Sequence, residues 1–167
     1  MKVLLCYLFL CISIIPSDVL EEVRSQFPDI RSEVQADLYI QKLENVPKSP
    51  ASEAYIAAMF FMKSRFTTFP IRKYKYFKKG KLVLDKLVDK YPEMVEIRYI
   101  RYLLQHKVPK FLGYYEHRAT DFEMISIKLT ESDLPIQYKR KFLENMLQVS
   151  QNSVQRAQIN ELINRLT

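Results

Sequence analysis

The sequence predicts an all-α fold, an antiparallel array of helix hairpins of tetratricopeptide-like or irregular-bundle type, on three observations. Glycine fills only 2 of 167 positions, against a usual share of about 7%. Sandwiches, barrels and nucleotide-binding sheets need glycine at turns and phosphate loops, so its scarcity disfavours them. The breaks between apolar segments are marked by proline and serine. Within the segments, apolar residues recur at three- and four-residue spacing, the period of a helix with one buried face.

Each element follows from its local signals. Asp18 to Phe27, "DVLEEVRSQF", is a short helix stopped by Pro28. Asp29 is the expected N-cap of a second helix running to about Asn45, with Ile30, Val34, Leu38 and Ile40–Leu43 inward. Ser49-Pro50 is an N-cap and first-turn pair for the third, "ASEAYIAAMFFMKSRF". That helix is apolar almost all round, as the middle of a bundle requires, and its apolar run is too short to cross a membrane. Arg72 to Tyr91 is the clearest amphipathic helix: Tyr76, Phe77, Gly80, Val83, Leu84, Leu87, Val88 and Tyr91 share one arc. Pro92 to about Lys107 is helical again, and Pro109 breaks it ahead of a short turn and a loop at Gly113. Thr120 and Glu123 have capping-box spacing for the next helix, "DFEMISIKL". "SDLP" opens one to about Val149 with Ile136, Phe142, Leu143, Met146 and Leu147 inward, and Ser153 caps the last, carrying Ile159, Leu162, Ile163 and Leu166. The expectation is seven or eight helices in one domain, residues 18–167.

The first 17 residues read as a separate object. Met1-Lys2 precedes "VLLCYLFLCISII", a short apolar run ending at Pro16-Ser17. One positive charge, a short apolar region and a small residue after a breaker describe a secretory signal peptide cleaved near Ser17. Lipidation at Cys11 fits less well, because Leu10 is not small, and the run is short for a permanent anchor. Both cysteines, Cys6 and Cys11, fall inside it. The mature chain then has no disulfide, thiolate nucleophile or cysteine-bound metal, which for an exported protein points to the bacterial periplasm or cell surface.

Charge is unevenly placed. Asp18 to Glu53 carries eight acids against four bases, whereas Ala54 to Leu84 carries eight bases and no acid, within a chain of net charge +7. The run "RFTTFPIRKYKYFKKGK" resembles a nucleic-acid surface in composition, with lysines for phosphates and aromatics for stacking. The helical wheel opposes that: Tyr76 and Phe77 fall in the buried arc, away from Lys75, Lys78, Lys79 and Lys86. A solvated basic face is expected instead, with an anionic membrane surface or an acidic partner, and not nucleic acid, as what it meets. The acidic first two helices are a candidate internal partner.

The stretch "YFKKGKLVLDKLVDKYPEMVEIRYIRY" resembles the second helix of a tetratricopeptide repeat followed by the first of the next. The match lies in Phe77, the small Gly80, Leu84, Leu87 and the closing Tyr91-Pro92, with Ala54, Ala57 and Ala58 on the preceding helix. It covers roughly residues 53 to 105. "PEMVEIRYIRYLLQHKVPKFLGY" is similar to a motif of small exported bacterial helical proteins that have no assigned activity. The resemblance implies an exported helical protein and brings no activity with it; the expected partner is an unknown protein or peptide, no cofactor is expected, and the sequence carries no sign of an oligomer.

Candidate chemistry centres on residues 96–118. His106 and His117 could join Glu116, Asp121 and Glu123 in a metal or acid–base site, but they lack H-E-x-x-H spacing and are separated by Pro109 and Gly113. Structural histidines are the simpler expectation, with no metal, no cofactor and no catalytic residue; a small envelope enzyme using His106 or His117 is the alternative function. Arg98, Arg101 and Gln105 share one stripe of an otherwise apolar helix and need partners once buried. Asp85, Asp89, Asp121 and Glu123 are candidate structural partners, and capture of an anionic ligand or peptide carboxylate is the sharper alternative. The candidate binding set is therefore Arg98, Arg101, Gln105, His106 and His117. The leading function is a non-enzymatic exported module of protein contacts or structure at the cell envelope. A peripheral membrane binder using the basic 63–81 face is a further alternative.

Overall fold

The computed structural model describes residues 19–166. The leader expected over residues 1–17, with both cysteines, lies outside them. The described residues form eight α-helices and no strand: α1 (Val19–Gln26), α2 (Glu33–Glu44), α3 (Pro50–Phe66), α4 (Pro70–Lys90), α5 (Val95–Lys107), α6 (Arg118–Lys128), α7 (Ile136–Val149) and α8 (Ser153–Arg165). A single 3-10 turn, Lys110–Leu112, lies between α5 and α6. The fold is all-α. Proline stands in the link ahead of each of α2 to α7 or in the first turn of the helix it opens. There its missing N–H costs nothing and its ring prevents the preceding helix from continuing.

Helices adjacent in sequence pack as pairs, most broadly α3 with α4, then α2 with α3 and α5 with α6. The α3–α4 approach is closest at Gly80, where an added Cβ would lie 2.7 Å from a Phe61 ring carbon and 2.8 Å from the Ala57 carbonyl oxygen. Ala54, Ala57 and Ala58, all fully buried, supply the flat side. Two helices are interior. On α3 every residue from Ala57 to Lys63 is buried, and on α5 every residue from Val95 to Gln105 is buried. The aromatic centre of the core joins four segments: Phe27 meets Tyr55 and Tyr99 edge-on at 5.6 and 6.2 Å, and Tyr99 stacks on Phe142 of α7 at 3.7 Å. Burying a side chain of this size contributes about 1.5–3 kcal/mol, so these four rings weigh heavily in holding the link after α1 to α3, α5 and α7.

Several local expectations are corrected. Ser32, not Asp29, caps α2, its hydroxyl accepting the Gln35 amide at 3.0 Å. Ile30 is drawn into the core, which keeps residues 29–32 out of the helix. Val34 and Leu38 therefore face solvent, and the inward face is Ala36, Tyr39, Ile40 and Leu43, the same three/four spacing on another side of the helix. The Thr120–Glu123 capping box does not form. α6 begins three residues earlier at Arg118, whose guanidinium donates to the Gln105 carbonyl and fixes the start of the helix. α5 begins at Val95, after a turn at Pro92-Glu93. Asn152 caps α8, accepting the Val154 and Gln155 amides. Ile136 is exposed, and Tyr138 takes the inward position near the start of α7.

Candidate functional site

The arginine stripe of α5 faces α6. Asp121, in the first turn of α6 and fully buried, accepts from Arg98 Nη1 at 2.8 Å and from Arg101 Nε and Nη2 at 2.7 Å each. Arg98 Nε also donates to the Pro92 carbonyl at 2.5 Å, closing the α4–α5 turn. Arg101 has a second carboxylate, Asp85 of α4, at 3.7 Å, and the Tyr114 hydroxyl donates to the same Asp85 at 3.0 Å. Burial works against the charge on Arg101, but the hydrogen bond and charge of Asp121 outweigh it and raise its pKa. Tyr114 is pushed up by burial first and by Asp85 second. One carboxylate thus holds two buried guanidiniums, and α4, α5, α6 and the loop after Gly113 meet around it. Of the four acids named as candidate partners, Asp121 and Asp85 are used. Asp89 and Glu123 are exposed.

Gln105, one turn beyond Arg101, is fully buried, yet its side-chain amide has no hydrogen-bond partner among the described residues. His106 is half-buried, its ring 4.3 Å from that of Tyr102 and its Nδ1 donating to the Tyr102 carbonyl at 2.8 Å. Burial lowers its pKa, the carbonyl opposes this, and the charges of Arg118 and Lys107 add to the lowering. The ring is therefore held neutral at neutral pH. His117 is exposed at the N-cap position of α6 and makes no side-chain capping bond. No group of three or more His, Cys, Asp or Glu side chains able to hold a metal ion occurs among the described residues.

A second buried carboxylate escaped sequence reasoning. Glu96 of α5 is 2% exposed; Arg24 of α1 donates to both its oxygens, at 2.6 and 2.7 Å, and Tyr55 of α3 donates at 3.1 Å. Burial raises the Tyr55 pKa well above normal, and the Glu96 charge raises it further. A hint was present in the sequence, because Glu96 is an acid in the first turn of a helix otherwise buried along its length.

The basic face is where the wheel puts it. Lys75, Lys78, Lys79 and Lys86 are exposed on α4, while Phe77 is buried and Tyr76 half-buried. The Tyr76 hydroxyl donates to Glu33 of α2 at 3.2 Å. Lys63 of α3 pairs with Asp37 of α2, so part of the acidic N-terminal region meets the basic one internally.

One concavity among the described residues was not legible in the sequence. It is an apolar groove of about 620 Å³ between α3, α4, α5, the C-terminal end of α7 and the two links at residues 27–29 and 108–112. Phe61 and Met62 of α3, Phe77 of α4, and Leu103 and Leu104 of α5 line its buried part, and Tyr74 and Phe111 line it while remaining 53% and 86% exposed. Arg65, Lys73 and Lys107 also line it, against one carboxylate, Asp29. Phe111 is carried on the 3-10 turn between Pro109 and Gly113, and Gly113 has φ 67°, a conformation glycine adopts without strain. None of Arg98, Arg101, Gln105, His106 and His117 lines this groove. Comparison with protein-family models, with curated proteins and with solved structures gives no match.

Proposed function

We propose that the chain is a non-enzymatic helical binding module of the bacterial cell envelope, exported by its leader, that works by holding a partner in the apolar groove. The groove carries the proposal. Its volume lies within the roughly 300–1,000 Å³ of ligand sites, and it has mainly apolar walls with a few polar groups, as such sites do. It is built on four helices: the Phe27–Tyr55–Tyr99–Phe142 cluster ties α3, α5 and α7 together, and α4 is placed by its close approach to α3 at Gly80 and by the Asp85–Arg101 pair. The charges of Arg98 and Arg101 are spent on Asp121, and His106 is committed to its own helix, so these groups serve the scaffold.

Photo-crosslinking from a benzoylphenylalanine in place of Phe111, in the native cell, tests this, with Ile127 on the outer side of α6 as the control position. An adduct from position 111 and none from 127 is the expected outcome. Equal adducts at both positions, or none at 111, would remove the groove as the working surface.

A second reading has one specific observation in its favour. Phe69 and Ile71, 63% and 88% exposed at the start of α4, stand beside Arg72, Lys73 and Lys75. Apolar tips among cations suit contact with an anionic lipid surface. Salt-sensitive co-sedimentation with phosphatidylglycerol vesicles, lost in the Ile71→Ser variant, is its expected signature.

A further inference from the structure

Resting on that assignment of the groove as the binding site, we infer that its ligand is a free long-chain carboxylate, the hydrocarbon tail lying on Phe61, Phe77 and Leu104 and the carboxylate meeting Arg65, Lys73 and Lys107. Charge complementarity is the first reason. Three exposed cations line an apolar recess that has a single acid, and none of the three forms an ion pair among the described residues. A cation without a fixed partner at the mouth of an apolar recess is placed to receive an anion and pays little to do so.

The second reason is what the walls lack. An extended peptide brings an N–H and a C=O per residue, and each must find a partner on burial. The groove's polar side chains besides its charges are Ser64, Asn145, Gln148 and the Tyr74 hydroxyl, and the Asn145 amide already donates to the Tyr99 hydroxyl at 2.7 Å. A hydrocarbon tail asks for no partner. A helical peptide satisfies its own backbone, and a polypeptide adduct from position 111 without probe binding is the outcome that would favour it.

The third reason is at the mouth, where Tyr74 and Phe111 expose rings beside the cations. An amphiphile's tail would cover such rings and relieve their exposure.

The probe is 11-(dansylamino)undecanoate, titrated into the purified protein at low ionic strength. A rise and blue shift of dansyl emission at one site per chain is expected. Dodecanoate should displace the probe, whereas dodecyltrimethylammonium, with the same tail and the opposite charge, should not. The paired variant Lys73→Glu with Lys107→Glu should weaken binding by at least about ten-fold. Lys75→Glu with Lys86→Glu makes the same charge change on α4 away from the groove and should leave binding within about two-fold. All four lysines are exposed, so both variants are expected to fold, and circular dichroism checks this. Ser64→Trp, which fills the recess, should abolish the signal.

Equal displacement by the two detergents, or equal weakening by the two lysine pairs, overturns the proposal. Absence of probe binding does so too. If the probe fails to bind while position 111 still yields a polypeptide adduct, the binding module stands with a protein ligand and only the carboxylate is lost. Probe binding without any adduct at 111 sinks the module's role in the cell and leaves the carboxylate site intact.

Discussion

Removing the Asp121 carboxylate is the sharpest test of the scaffold. In Asp121→Ala the lost groups are two oxygens that accept three charge-assisted hydrogen bonds at 2.7–2.8 Å. Two guanidiniums, 8% and 4% exposed, then remain in the interior. Breaking a buried ion pair from one side costs about 3–5 kcal/mol, chiefly because the remaining charge is stranded. Asp85, 3.7 Å from Arg101, and the Pro92 carbonyl on Arg98 soften the loss without replacing it. For a chain of this size about 2–4 °C of melting temperature is lost per kcal/mol, so a fall of roughly 6–20 °C is expected. Urea unfolding at neutral pH, followed by circular dichroism, measures the free energy directly. A companion variant, Asp121→Ala with Arg98→Met and Arg101→Met, removes the stranded charges and should recover most of the loss. If the single substitution costs less than about 1 kcal/mol, or the triple variant is no better than the single one, then Asp121 is not what compensates the buried arginines.

Other consequences are equally direct. Gly80→Ala gains up to about 1 kcal/mol of helix propensity but pushes a methyl into Phe61 and the Ala57 carbonyl at under 3 Å. Overpacking of this kind costs about 1–3 kcal/mol, so a net loss in the urea midpoint is expected, and a gain would show that α3 and α4 can separate freely. Gln105→Met replaces an unpaired buried amide by an apolar chain of similar length. It should leave stability unchanged or raise it by about 1–3 kcal/mol, and a loss beyond about 2 kcal/mol would mean the amide is hydrogen-bonded after all. His106 has a folded-state pKa below its unfolded value. Its contribution is therefore present above the unfolded pKa of about 6.5 and is lost as pH falls from there through the folded value. Urea midpoints between pH 7.5 and 5.5 should drop in the parent and drop less in His106→Gln; parallel profiles would contradict the assignment.

The fold was legible because its main signals are local. Proline positions, the α4 arc and the Ser49-Pro50 cap each specify an element without help from distant residues. Two of the three wrong caps and the misjudged α2 face have a common cause. Asp29 and Thr120 are sound local caps, but the long-range demands of burying Ile30 and of anchoring Arg118 on the Gln105 carbonyl override them. The arginine stripe announced that it needed carboxylates and could not say which, since Asp85 and Asp89 lie one turn apart on α4 and only packing decides between them. The groove left no trace at all. Its walls come from six separate segments, and each lining residue, such as Phe61 or Leu104, looks in sequence like any other core residue.

Tyr114 gives the molecule an internal lever. Its ring stacks on Phe61 at 5.5 Å and meets Phe77 edge-on at 6.0 Å, and both of those rings line the groove. Its hydroxyl holds Asp85, which faces Arg101 and so the Asp121 pair. The groove and the ion pairs are thus joined by this side-chain path as well as by α5, which carries Leu103 and Leu104 to the one and Arg98 and Arg101 to the other. Whatever occupies the groove of the native state raises the free energy of unfolding by RT ln(1 + [L]/Kd). Replacing Tyr114 with Phe would keep the ring contacts and remove the hydroxyl's bond to Asp85, the one link of that path that is a hydrogen bond.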